Sequence, residues 1–203
     1  MRTRQWTRAE YDRLIEIGVF HPRDAVELLG GEIIVAEPQN SPHYTAIGLA
    51  EEALRLAFGP GWLIRTQGPI ALDAQSEPEP DVAVASGSLR DYSHEHPARP
   101  VLIVEVAASS LSLDRSHKGS LYARARLEDY WIVNLVDRVL EVYRQPVVDR
   151  AAGRSGLRRP RRRPAAVVGS HKGSRPGCRA ILSACRCVWP GISKPVPERR
   201  QRR

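Results

Sequence analysis

Glu105 sets the first question, because it places a charge inside VLIVEVA (101–107), the most continuously apolar, β-branched run of the chain. Such a run marks a strand buried on both faces. Burying an unpaired carboxylate is costly, so Glu105 must meet a cation, a metal or a cavity edge. Asp81 sharpens the choice. It follows Pro80 and opens DVAVA (81–85), which puts its carboxylate at a strand mouth, where open α/β sheets collect ligands. Two carboxylates on neighbouring strand ends make a hard oxygen site suited to Mg²⁺ or Mn²⁺. The plainer alternatives are a strand-end Glu paired with Arg and a turn Asp after Pro.

Lys118 is the third member, and composition singles it out: residues 1–145 use 14 arginines but a single lysine. An ammonium is a compact point donor, whereas a guanidinium is a broad fork that stays protonated. Lys118 precedes Leu121 and Tyr122 by three and four positions, which sets it on the core-facing side of a helix. The alternative is a lysine that snorkels to solvent. Burying an inward-facing lysine is expensive, so Lys118→Met is expected to leave stability unchanged or raise it. Two carboxylates, a divalent metal and an ammonium together can hydrolyse a phosphodiester. Other signals are weaker: His94 and His96 flank Glu95 without further spaced ligands, and Ser109-Ser110 sit in no G-x-S-x-G elbow.

The elements that must hold these residues can be read in order. Thr7 with Glu10 forms a capping box, and Tyr11, Leu14 and Ile15 follow at helical spacing until Gly18. VELL (26–29) and EIIVA (32–36), joined by Gly30-Gly31, read as an antiparallel hairpin. Ile47, Ala50, Leu54 and Ala57 give a helix over 43–58, broken by Gly59-Pro60-Gly61. WLIRT (62–66), PIAL (69–72), DVAVA and VLIVEVA then read as strands, with 86–100 a loop carrying at most one helical turn. A helix beginning near Asp114 and the strands YWIVNLV (130–136) and RVLEVY (138–143) complete the body. The fold class is α/β, a mixed β-sheet flanked by helices.

A chain of 203 residues with 42% hydrophobic content can bury the core of one domain. Its net charge of +8 suggests a nucleic-acid binder until it is divided along the sequence. Residues 1–145 hold 15 basic against 21 acidic residues, a balance of −6, while 146–203 hold 16 against 2, a balance of +14. The two domains expected are therefore a body over 1–145 and a basic Arg/Pro-rich tail over 146–203. The tail lacks apolar periodicity and is expected to be disordered, with only AILSACRCVW (180–189) able to form a local turn. All three cysteines lie in the tail, so the body needs no disulfide framework. No signal peptide or long apolar span is apparent, and a cytoplasmic protein with no membrane partner is expected.

ELLGGEI (27–33), PHYTAIGLA (42–50), EPDVAV (79–84), VLIVEVAASS (101–110), Asp114-x3-Lys118, LYARARLEDYWIVN (121–134) and LEVYR (140–144) occur in an order and spacing that resembles one family. That family is the Uma-two group of endonuclease-like proteins with the PD-(D/E)XK, restriction-endonuclease-like core. The resemblance runs from about Trp6 to Arg144. It implies that Pro80-Asp81 is the PD half-motif and Glu105 the acidic residue of the second half. Related nucleases carry a lysine two residues after that Glu, where this chain has Ala107; Lys118 matches the position to which it has moved in this family. Glu27, Glu32 and His43 match further family positions near the site, with exposed hairpin charges and a helix-start histidine as the plainer readings.

The expected mechanism follows: Asp81, Glu105 and the Val106 carbonyl bind Mg²⁺ or Mn²⁺, and Lys118 orients or deprotonates the attacking water. The resemblance makes nucleic acid the partner, DNA ahead of RNA, with a homodimer among the assemblies open to it. An acidic body is unusual for such a substrate. The rival reading is an inactive nuclease-fold module that binds nucleic acid or protein, with Arg158-Arg159 and Arg161-Arg162-Arg163 gripping polyanions. Family members continue after LEVYR with more strand-like sequence, so a frameshift near position 145 would also account for the tail.

Overall fold

A computed structural model describes residues 3–21, 23–36 and 38–144, together with the backbone of 146–149, 154–157 and 161–164. The capping box forms as the sequence requires: the Glu10 N–H donates to the Thr7 hydroxyl at 3.3 Å and the Thr7 N–H to the Glu10 carboxylate at 3.0 Å. It starts helix α1 (Arg8–Glu16). Strands β1 (Val26–Leu29) and β2 (Glu32–Val35) pair antiparallel, and their turn needs the φ of 62° and 86° that Gly30 and Gly31 adopt. Asn40 then caps α2 (Ser41–Phe58), which buries Ala46, Ile47, Ala50, Ala53 and Leu54 along one stripe.

The main sheet is built from β3 (Trp62–Thr66), β4 (Val82–Ser86), β5 (Leu102–Ala107), β6 (Asp129–Asn134) and β7 (Val139–Arg144), neighbours in that order. Among these five only β5 and β6 run parallel. A parallel pair needs a crossover, and here it is α3 (Leu111–Leu113), a π-helical turn (Asp114–Lys118) and α4 (Gly119–Arg124) in unbroken succession. Beyond Gln145 the described backbone forms β8 (Pro146–Asp149) paired with β9 (Arg154–Leu157), and β10 (Arg161–Pro164) lies antiparallel against β7. Residues 165–203, with AILSACRCVW and all three cysteines, lie outside the described residues.

Period-two alternation sorts β5 between two cores. Leu102, Val104 and Val106 pack towards α2, whereas Ile103 and Ala107 pack on the other face with Tyr122, Tyr130 and Ile132. Glu105 shares that second face and lies under the crossover helix. Two expectations change. PIAL (69–72) is not a strand: the N–H groups of Ile70, Ala71 and Leu72 go to the carbonyls of Pro78, Pro97 and Ser76, scattered partners that form no ladder. The crossover helix starts at Leu111, ahead of Asp114, because the Asp114 N–H already reaches the Ser110 carbonyl at 3.0 Å. Among the described residues no helix is long and apolar enough to cross a membrane.

Candidate active site

Antiparallel pairing of β4 with β5 sets Val82 opposite Val104, so one step back along β4 brings Asp81 beside Glu105. The side chains then cross-link the strand ends. The Val106 N–H donates to Asp81 Oδ2 at 2.7 Å, and the Asp81 N–H donates to Glu105 Oε2 at 3.4 Å. From the first turn of α2, His43 Nε2 reaches the Val106 carbonyl at 2.6 Å and lies 3.6 Å from Asp81 Oδ2. A carbonyl only accepts, so Nε2 carries the proton in that bond. His43 Nδ1 is buried without a hydrogen-bond partner.

Lys118 closes the cluster from the opposite side. Its Nζ lies 3.2 Å from Glu105 Oε1 and 3.2 Å from Glu27 Oε1, while the Tyr122 hydroxyl donates to Glu105 Oε1 at 2.9 Å. The π turn makes this reach possible. The Gly119 N–H bonds the Asp114 carbonyl, five residues back, and the Tyr130 hydroxyl donates to that same carbonyl at 3.0 Å. One wide turn therefore buries both Asp114 and Lys118. Such insertions recur at functional sites.

Charge is what distinguishes the cluster. Glu27, Glu79, Asp81, Glu105 and Asp114 line one cavity of about 400 Å³, and among the described lining residues Lys118 is the one permanent cation. Burial, and next the neighbouring Glu105 charge, push the Asp81 carboxyl up to about 7. Burial likewise pushes Glu105 up to about 7, against the pull of Lys118 and with Asp114 and Glu27 adding repulsion. Asp114 is pushed up to about 6, again chiefly by burial. Burial would lower Lys118, but Glu105, Glu27 and Asp114 outweigh it and hold the ammonium above its usual range. These neighbours keep Lys118 as a cation.

The structure thus brings together Asp81, Glu105, Val106, Lys118, Glu27 and His43. It leaves Glu32 out: that residue pairs with Leu29 at the turn end of the hairpin and is exposed. Sequence reasoning did not single out Glu79, Asp114 or Tyr122 as site residues. The signal for Asp114 was present, since it stands four residues before Lys118 on one helical face; Tyr122 has the same relation to Lys118 on the other side. His96 sits elsewhere, with Nδ1 3.1 Å from Arg65 Nη2, and the Ser110 hydroxyl donates to Asp114 at 2.7 Å.

Among the described residues no three His, Cys, Asp or Glu side chains form a ready-made metal cluster. The donor chemistry nevertheless fits a hard divalent cation: two carboxylates that cross-link strand ends, a backbone carbonyl beside them, and an excess of buried negative charge that a cation would relieve.

A family model described as "Putative restriction endonuclease", Uma2, matches residues 8–164. The chain belongs to the Uma2 family. The expected resemblance is confirmed, and the matched span includes the hairpin, both carboxylate strands and the crossover helix. A solved structure described as a putative nuclease belonging to DUF820, from Anabaena variabilis ATCC 29413, superposes with a TM-score of 0.61 at 14% identity. The alignment covers 89% of this chain and 99% of that one, so the two share a fold. No curated protein matches the chain.

Proposed function

We propose that this Uma2 protein is a metal-dependent endonuclease that hydrolyses phosphodiester bonds, DNA ahead of RNA, in the cytoplasm. The observation that carries the reading is the buried charge imbalance around Glu105: Glu27, Asp81, Glu105 and Asp114 are buried against one lysine, with the exposed Glu79 at the edge of the same cavity. Each of these buried carboxylates has hydrogen-bond donors, but their charge is met by a single ammonium, and a bound cation would relieve the excess. Asp81, Glu105 and the Val106 carbonyl would hold Mg²⁺ or Mn²⁺. When bound, such an ion polarises a phosphoryl oxygen and lowers the pKa of water.

The chain's own residues do the rest. Lys118, fixed by Glu27 and Glu105 at 3.2 Å each, presents a permanent positive charge towards the phosphate and orients the attacking water. Tyr122 and the Asp81 N–H keep the Glu105 carboxylate from rotating, and His43 steadies the Val106 carbonyl. One water is consumed, one P–O ester bond breaks, and a phosphate monoester and a hydroxyl result.

The test is cleavage of plasmid, linear duplex and single-stranded DNA under Mg²⁺ and Mn²⁺. Lys118→Ala is expected to lose at least about 100-fold in rate, the typical worth of one preorganised charge donor, while still showing a cation-induced rise in melting temperature. Lys118→Arg is expected to be nearly as poor, because the broad fork cannot occupy a point-charge position between two carboxylates. Unchanged cleavage by Lys118→Ala overturns the assignment. A wild type that cuts nothing under either cation favours the inactive binding module.

A further inference from the structure

The reacting groups of the proposed site lie deeper than a rigid duplex readily follows. Glu105, Asp114 and Lys118 are 3%, 2% and 5% exposed, and a phosphate reaches them only by entering the cavity they line. Double-stranded DNA carries its phosphates on a stiff cylinder with a persistence length of about 50 nm. Its paired backbones are held apart at a fixed distance, so one of them follows a recess of about 400 Å³ less readily than an unpaired strand does. An unpaired strand bends freely into such a space.

The mouth of the cavity points the same way. On one side, Ile34, Val35 and Pro38 give an apolar wall, with Val35 65% exposed despite its hydrophobicity. On the rim, Gln39 and Gln67 are exposed and offer amide donors and acceptors. An apolar surface facing amides suits an extruded base, whose ring needs packing and whose edge needs hydrogen bonds. The volume sits near the low end of the ~300–1,000 Å³ of small-ligand pockets, which is room for a nucleotide and not for a length of helix. Nor is any arginine among the described lining residues to clamp a run of flanking phosphates.

We infer that the site acts on unpaired nucleic acid, admitting a single nucleotide with its base against Ile34 and Val35 and its phosphate towards Lys118. The inference rests on the phosphodiesterase reading but concerns the occupant of the cavity, so the two can be separated. The experiment uses the full wild-type chain and one end-labelled DNA in which a duplex arm continues into a single-stranded overhang of equal length. Because both arms belong to one molecule, any general attraction of the basic tail acts on them together. Cuts are expected in the overhang at least about tenfold more often than in the duplex arm, since a paired nucleotide must first be unstacked.

A second measurement does not depend on turnover. Thymidine 5′-monophosphate with Ca²⁺ is followed by saturation-transfer NMR against wild type, Val35→Ser and Ile34→Ala. Val35 is exposed, so its replacement leaves the fold intact, and both variants are expected to weaken the nucleotide signal. Equal cutting of the two arms overturns the inference and leaves the hydrolytic reading standing. No cutting, with nucleotide binding that depends on Ile34 and Val35, overturns the hydrolytic reading and leaves the occupant standing. Neither cutting nor binding overturns both.

Discussion

Two buried glutamates, Glu141 on β7 and Glu105 on β5, obey opposite rules. Glu141 is fully buried and accepts from Arg115 Nε at 3.0 Å, from Arg115 Nη2, from Asn134 Nδ2 at 2.9 Å and from the Tyr143 hydroxyl at 2.9 Å. Burial pushes its carboxyl up, but these donors win and hold it below the usual range. Glu105 lies deeper within the protein and has donors of its own, yet burial pushes it up to about 7. The difference is depth and company together. Glu141 shares its guanidinium with the half-exposed Asp137 at 3.6 Å, whereas Glu105 shares one ammonium with several buried acids. A carboxylate low in exposure is therefore not by itself a candidate for the site; one that also lacks a matching cation is.

The comparison breaks most visibly if the matched pair is cut. Arg115→Ala leaves Glu141 buried without its cation, and removing one partner of such a pair typically costs about 3–5 kcal/mol. Chemical denaturation should report a loss near the lower end, because the Arg115 side chain is 31% exposed. A loss under about 1 kcal/mol, the scale of surface ion pairs, would mean that Glu141 is held by Asn134 and Tyr143 alone.

The unmatched cluster should respond to pH in the opposite sense. Asp81 and Glu105 have folded values near 7, above the unfolded ~3.9 and ~4.3, so the native state keeps protons that the unfolded chain has released. Their contribution is complete below about pH 4 and is lost as the pH rises through 7. Metal-free protein is therefore expected to melt lower at pH 8 than at pH 5.5. Lys118→Met should deepen that fall by about 2–3 kcal/mol at pH 8 and change little at pH 5.5. This reverses the expectation drawn from sequence, because the lysine is the counter-charge of the cluster and not a free burden. Asp81→Asn should flatten the slope by about 1–2 kcal/mol and abolish the rise in melting temperature that Mg²⁺ gives wild type at pH 8. A wild-type melting temperature that does not fall between the two pH values would show that the carboxylates are ionised throughout.

Much of this site was legible because it breaks local rules. Glu105 stands out as a charge in an apolar strand, and Lys118 as the single lysine among arginines. The sheet and its hairpin follow from period-two patterning and Gly30-Gly31. What stayed hidden depends on long-range pairing. A π turn adds one residue to a helix and leaves no period of its own, so the wide presentation of Asp114 and Lys118 could not be read. PIAL has strand composition, but its N–H groups are drawn to three separated carbonyls, a fact of tertiary packing.

Glu27 and Glu32 give the finest test, since both sit on one hairpin and sequence could not choose between them. Register chooses: Glu27 pairs with Ile34 and Glu32 with Leu29, two residues or about 7 Å further towards the turn. Glu27 consequently meets Lys118 and accepts the Glu79 N–H at 3.0 Å, while Glu32 faces solvent. Glu27→Gln keeps an acceptor oxygen for only one of the two bonds, sets an amide NH2 against the other donor, and removes one negative charge from the crowded cavity. It should weaken the Mg²⁺-induced rise in melting temperature at pH 8, because less negative charge is left for the cation to relieve. Glu32→Gln should alter stability by no more than about 0.5 kcal/mol and leave the cation response unchanged. Both variants can be followed in one thermal-melt series with and without Mg²⁺. Equal cation responses would mean that Glu27 only anchors Lys118 and that the charge excess is set by Asp81, Glu105 and Asp114 without it.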